Sequence, residues 1–132
     1  MPSETVSALQ QAVEGLTYES ETDSPWTVFS WPKATGVPTG EGVRKQGRHK
    51  ANAPVEEKTI EEFFAPLTQN QDWYRDEEKA TAAKYRSLLS VIKQRLTNPK
   101  VVRVGGRKVA VYVVGQAAED GWAGLKTTAV ET

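Results

Sequence analysis

The stretch Val101-Val102-Arg103-Val104-Gly105-Gly106-Arg107-Lys108-Val109-Ala110-Val111-Tyr112-Val113-Val114 decides the fold. Two β-rich runs flank a Gly-Gly pair, which is the signature of a tight hairpin with positive φ angles. The second run is apolar on both faces, so it predicts a central strand covered on both sides. Downstream, 115–121 reads as a turn and Trp122–Val130 as a last strand. Upstream, 26–31 alternates, with Trp26, Val28 and Ser30 on one face and Thr27, Phe29 and Trp31 on the other. That is strand spacing.

The helices surround this β pattern. Ser3 to Gly15 carries Val6, Leu9, Val13 and Leu16 at helical spacing, with Gly15 as a C-terminal signal. Thr59 and Glu62 fit a capping box for a short helix that Pro66 is expected to end. Gln71-Asp72-Trp73-Tyr74 leads into the strongest helix. Its first turns hold Asp76, Glu77 and Glu78, which suit the macrodipole. Its buried stripe is Ala82, Tyr85, Leu88, Leu89, Ile92 and Leu96, and Asn98-Pro99 is expected to stop it. Residues 17–25 read as an exposed polar loop. Residues 32–58 read as one long irregular segment with four glycines and three prolines, a length that is often functional. The expectation is four strands and three helices in one domain spanning 1–132. The fold class is α+β, an α/β/α sandwich with a mainly antiparallel central sheet.

Composition excludes several chemistries. The chain has 132 residues, no cysteine and one histidine, His49. Disulfides, cysteine zinc sites and a cysteine nucleophile are ruled out, and His49, between Arg48 and Lys50, reads as a solvated loop residue. No run approaches the length of a membrane span. Met1-Pro2-Ser3-Glu4 has no basic or apolar leader features, so a cytoplasmic protein is expected. Lys and Arg total 17 and Asp and Glu total 17. A general nucleic-acid binder leans basic, so no direct nucleic-acid contact is expected.

The balance is global and not local. Residues 1–32 hold five acids and no Lys or Arg, whereas 33–58 hold six bases against three acids. Segregation of this kind can steer a charged partner while the whole chain stays neutral.

No motif points to catalysis. The acids Glu19, Glu21 and Asp23 share one loop, and Asp76, Glu77 and Glu78 share one helix start, where acids usually serve the helix. There is no nucleophile elbow, calcium loop or phosphate-binding glycine pattern. No enzyme activity and no cofactor are expected. Two features remain. Trp73 and Tyr74 sit between Asp72 and Arg75, and Trp and Tyr are favoured interface residues. A final strand would present Glu131, Thr132 and the terminal carboxylate at a defined place, and such hard oxygens suit Mg²⁺ in another protein's site.

At these residues the chain resembles the nuclease A inhibitor family. The resemblance rests on Gly15-Leu16, Ser20-Glu21 and Pro25; on Val28-Phe29 with Trp31; and on Gln71-Asp72-Trp73-Tyr74 with Asp76-Glu77-Glu78. It continues through Leu88-Leu89, Val91-Ile92-Lys93, Asn98-Pro99 and Val111-Tyr112-Val113 to Ala123-Gly124 and Val130-Glu131-Thr132. The resemblance implies a protein inhibitor of a sugar-nonspecific, metal-dependent DNA/RNA endonuclease, monomeric when free. It implies that Glu21, Asp72, Trp73, Glu131 and Thr132 bind that partner. Thr132 would approach a metal only in trans, at the nuclease's own ion. Arg75 interrupts the acidic stretch, and the basic 33–58 segment is not what a basic cleft would meet. These departures keep a second reading open, a family relative that serves as an interaction or regulatory module with another partner.

Overall fold

The computed structural model describes residues 4–14, 16–19, 23–31, 34, 36–50, 52–68, 75–106, 108–117 and 121–130. Among them are helices α1 (Glu4–Val13), α2 (Gly40–Gln46), α3 (Ile60–Thr68) and α4 (Asp76–Arg95). The strands are β1 (Thr17–Glu19), β2 (Asp23–Pro25), β3 (Thr27–Trp31), β4 (Val55–Lys58), β5 (Leu96–Val104), β6 (Lys108–Ala117) and β7 (Trp122–Val130). β1 and β2 form a small antiparallel hairpin. The other five form one antiparallel sheet in the order β3-β7-β6-β5-β4.

β6 occupies the middle of the sheet, as its two apolar faces require. Val109, Val111 and Val113 join Val101, Leu125 and Ala129 on one face, under α1, α3 and α4. Val102, Val104, Tyr112, Val114 and Trp122 lie on the other face with Val43 of α2 and Ala34. Helical segments therefore cover both faces, and the α/β/α sandwich follows from strand alternation alone. The split in β3 is as expected: Trp26 and Val28 pack with the first cluster, Phe29 and Trp31 with the second. Trp26 also donates its indole N–H to the Tyr85 hydroxyl at 3.1 Å, tying β3 to α4.

Several elements differ from the sequence reading. The 32–58 segment holds α2 and β4. α2 forms despite two glycines because Thr39 caps it, accepting from the Gly42 N–H at 3.0 Å, and because Val43 is fully buried. Residues 17–25 are not a plain loop, since Thr17↔Pro25 to Glu19↔Asp23 pair as strands. Pro66 lies inside α3, which continues to Thr68, near its C-terminal turn. α4 ends at Arg95, before Asn98-Pro99. That pair sits instead in a register shift of β5, where Asn98 takes φ 51°. Among the described residues of the 104–108 hairpin, only Gly105 has positive φ, at 121°.

Candidate functional site

Every residue expected to bind a partner, namely Glu21, Asp72, Trp73, Glu131 and Thr132, lies outside the described residues. The elements that lead to them are described, and they run to one end of the sandwich.

β7 supplies the reference line. It starts at Trp122, beside the end of β6, and ends at Val130 opposite Lys108. β3 is antiparallel to it, with Thr27 opposite Lys126. Residues before Thr27 therefore run toward the C-terminal end of β7. The buried Thr127 hydroxyl fixes that course by donating to the Pro25 carbonyl at 3.0 Å. From Thr27 back to Asp23 is about 13 Å, the same as from Lys126 on to Val130. The β1–β2 hairpin thus extends toward the C-terminal end of β7.

α4 runs to the same level. Its last residues hand over to β5 at Leu96, opposite Ala117 and so near the start of β7. Tyr85 meets Trp26, next to the Thr27–Lys126 level. From Tyr85 back to Asp76 is about 13–14 Å at the helical rise. The start of α4, the Glu19–Asp23 end of the hairpin and the end of β7 therefore all lead away from the Trp26–Lys126 level in the same direction, by at most about 10–14 Å of chain.

The α4 start mixes acids with one base. Asp76 and Glu77 are exposed and Glu78 half-buried. Glu78 accepts from the Arg75 N–H at 3.0 Å and so caps the helix. Exposed Arg75 precedes them. At the hairpin base an open groove of ≈ 610 Å³ is lined by Val13, Leu16, Pro25, Trp26 and Val28 among others.

A second constellation lies on the α2 face and was not anticipated. His49 is half-buried, not solvated, and its Nε2 lies 2.6 Å from the Tyr112 hydroxyl. Burial first, and the charge of Lys126 second, push the His49 pKa below its usual 6.5. Burial pushes the Tyr112 phenol above 10.0. A protonated phenol and a neutral imidazole share one hydrogen bond there, its direction set by which ring nitrogen carries the imidazole proton. Lys126 Nζ stands 5.5 Å from the centre of the same Tyr112 ring. Phe29 and Trp31 contact that ring at 5.7 and 5.6 Å and each other at 4.2 Å. Only the basic run around His49 hinted at this cluster, because His49 and Tyr112 are 63 residues apart in the chain.

Among the described residues, no group of three or more His, Asp or Glu side chains is placed to hold a metal ion, and no helix is long and apolar enough to cross a membrane. No curated protein matches the chain. A family model described as nuclease A inhibitor-like protein matches residues 3–132. The chain belongs to that family.

Proposed function

We propose, from membership of the nuclease A inhibitor-like family, that this protein inhibits a sugar-nonspecific, metal-dependent DNA/RNA endonuclease by occluding its active site. The observation that carries the proposal is the common end reached by three separate elements. Glu21, Asp72, Trp73, Glu131 and Thr132 each stand, along the chain, no more than three residues from a described residue that leads into one of them. Three residues of chain span at most about 10 Å. One interface of about 800 Å² per partner is large enough to hold all five.

The chemistry is complementary. A nuclease cleft is basic because it holds phosphates, and it carries a divalent ion with an open oxygen position. Glu21 pairs with a cleft cation, Asp72 adds charge, and Trp73 supplies the buried aromatic anchor. The Thr132 end brings hard oxygens to the nuclease's metal, with Glu131 beside it. The inhibitor does no chemistry and competes with the scissile phosphate.

The test is titration of the purified chain into a sugar-nonspecific, Mg²⁺-dependent nuclease. Stoichiometric inhibition is expected. Trp73→Ala is expected to weaken it by at least about 30-fold, the effect of losing about 2 kcal/mol at an anchor. A variant extended beyond Thr132 is expected to lose inhibition while keeping its melting temperature. Full inhibition by the extended variant would sink the metal-directed mechanism. Exposed Arg75, at the very start of α4, favours a second reading in which the same end meets a different protein. A folded wild-type chain that leaves the nuclease untouched would select that reading, and pull-down would replace the activity assay.

A further inference from the structure

The basic segment has no role against a basic cleft, and the fold puts it elsewhere. Residues 40–50 cover the α2 face of the sheet, opposite α1, α3 and α4. His49 is pinned to Tyr112, and its two chain neighbours, Arg48 and Lys50, are exposed. Arg48 holds a left-handed backbone at φ 59°, and the His49 N–H is bound to the Arg44 carbonyl at 3.0 Å, so the turn is fixed. Lys126 reaches the same ring from β7. Lys45, Lys58, Lys93 and Lys100 form ion pairs among the described residues. Arg48, Lys50 and Lys126 are in none of them. From β3, on the β7 side of the same ring, Phe29 and Trp31 also contact Tyr112, their centroids 4.2 Å apart and each keeping part of its surface open.

Cations on a fixed frame beside partly open aromatic rings make a recognisable combination. Phosphates take the cations, and unpaired bases take the ring faces. An acidic protein segment would use the cations but not the open part of the rings, whose other part packs on the Tyr112–Trp122 cluster. A duplex hides its base faces. We propose that this sheet face binds single-stranded nucleic acid, with Arg48, Lys50 and Lys126 holding phosphates and Phe29 and Trp31 stacking bases. The inference stands apart from the inhibitor reading, since it uses none of the five residues assigned there. It also replaces the expectation, drawn from net charge, of no direct nucleic-acid contact. Net charge averages over the chain and is silent about one face.

The test is fluorescence anisotropy of a labelled oligothymidylate of about 12 nucleotides, titrated with the full chain. Saturable binding is expected, with a dissociation constant of about 10–100 μM at about 50 mM salt, in the range of non-specific contacts. Three phosphate contacts give a logarithmic salt slope near about −2, so about 200 mM salt should weaken binding about 20-fold. Lys50→Glu is expected to weaken it at least about fivefold while leaving nuclease inhibition unchanged. Phe29→Leu keeps an apolar side chain but removes the ring, and is expected to cost about fivefold or more, the equivalent of about 1 kcal/mol of stacking. Oligoglutamate of equal charge should fail to displace the probe. The proposal is overturned if no binding appears up to about 1 mM protein, well beyond the non-specific range. It is also overturned if oligoglutamate competes equally, or if neither folded variant changes the affinity.

Discussion

The Tyr112–His49 hydrogen bond should make stability depend on pH in a way that one substitution can isolate. In the folded chain His49 is held neutral, below its usual 6.5, by burial and by Lys126. The unfolded chain therefore binds the proton more readily. Stability from this site is complete above pH 6.5, and it falls as pH drops through 6.5 toward the lower folded value. One proton limits the slope to about 1.4 kcal/mol per pH unit. His49→Gln removes the titration, so the wild-type curve minus the variant curve should rise between about pH 5 and pH 7 and be flat above. Glu57 also titrates at the acid end, because its folded pKa is lowered, but it does so in both proteins and cancels.

Tyr112→Phe probes the same bond from the other side. At about pH 8 the pair shares a neutral hydrogen bond, and losing the 2.6 Å contact should cost about 0.5–1.5 kcal/mol. At about pH 5 the protonated imidazole can only donate from Nε2 to the phenol oxygen, a charge-assisted bond of different strength, so the cost should change. Urea denaturation followed by tryptophan fluorescence is suitable, because Trp31 and Trp122 share that face with Tyr112. The reasoning fails if the wild-type and His49→Gln curves stay parallel from about pH 5 to pH 8. It fails equally if Tyr112→Phe costs the same at both ends of that range.

Gly124 faces Phe29 on β3 and Val114 on β6, and a Cβ there would run into the Val113 carbonyl oxygen. Gly124→Ala should therefore cost about 3 kcal/mol or prevent folding. Gly106→Ala, which meets nothing within 4 Å, should change the melting temperature little. Thr127→Val removes the hydroxyl that holds Pro25. It should cost about 1 kcal/mol, speed amide exchange in 17–25, and weaken nuclease inhibition through the displaced hairpin. Glu57 is held below the usual carboxylate range first by Lys100 and then by the Gly40 N–H. Glu57→Gln should lose about 1 kcal/mol near pH 7, after allowance for solvent screening of this partly exposed group. The loss should vanish as pH falls through the folded pKa, where the wild-type carboxylate is itself protonated.

Strands with two buried sides were readable because their pattern has one physical solution. The unbroken apolar run in β6 admits only a central position, and the two-sided alternation of 26–31 admits only a strand that contributes to both layers. β4 escaped for the opposite reason. Val55–Lys58 is an edge strand whose exposed Glu56 and Glu57 carry no hydrophobic period, and charge at an edge guards it against stray pairing. Asn98-Pro99 looks like a helix stop by local rules, but the helix hands over to β5 three residues earlier and the pair is absorbed in a bulge. No residue pattern pointed firmly to the partner end. Glu21, Trp73 and Thr132 were singled out through the family resemblance, since convergence of hairpin, helix and strand is a tertiary property that spacing does not encode.

The zero net charge averages over surfaces of unlike sign. The end reached by the hairpin, α4 and β7 carries exposed Asp76 and Glu77, which suits a phosphate-binding cleft. The α2 face carries Arg48, Lys50 and Lys126, which would repel that cleft. A basic protein approaching the chain is turned by this charge asymmetry before it touches, acidic end first. Salt should then slow association with the nuclease while weakening nucleic-acid binding for a different reason, the loss of counterion release. Lys50→Glu separates the two effects. It removes repulsion on the inhibitory approach, so inhibition should form at least as fast at low salt, while strand binding falls. A Lys50→Glu variant that slowed nuclease inhibition would show that the basic face touches the nuclease itself, and the division of labour between the two surfaces would be wrong.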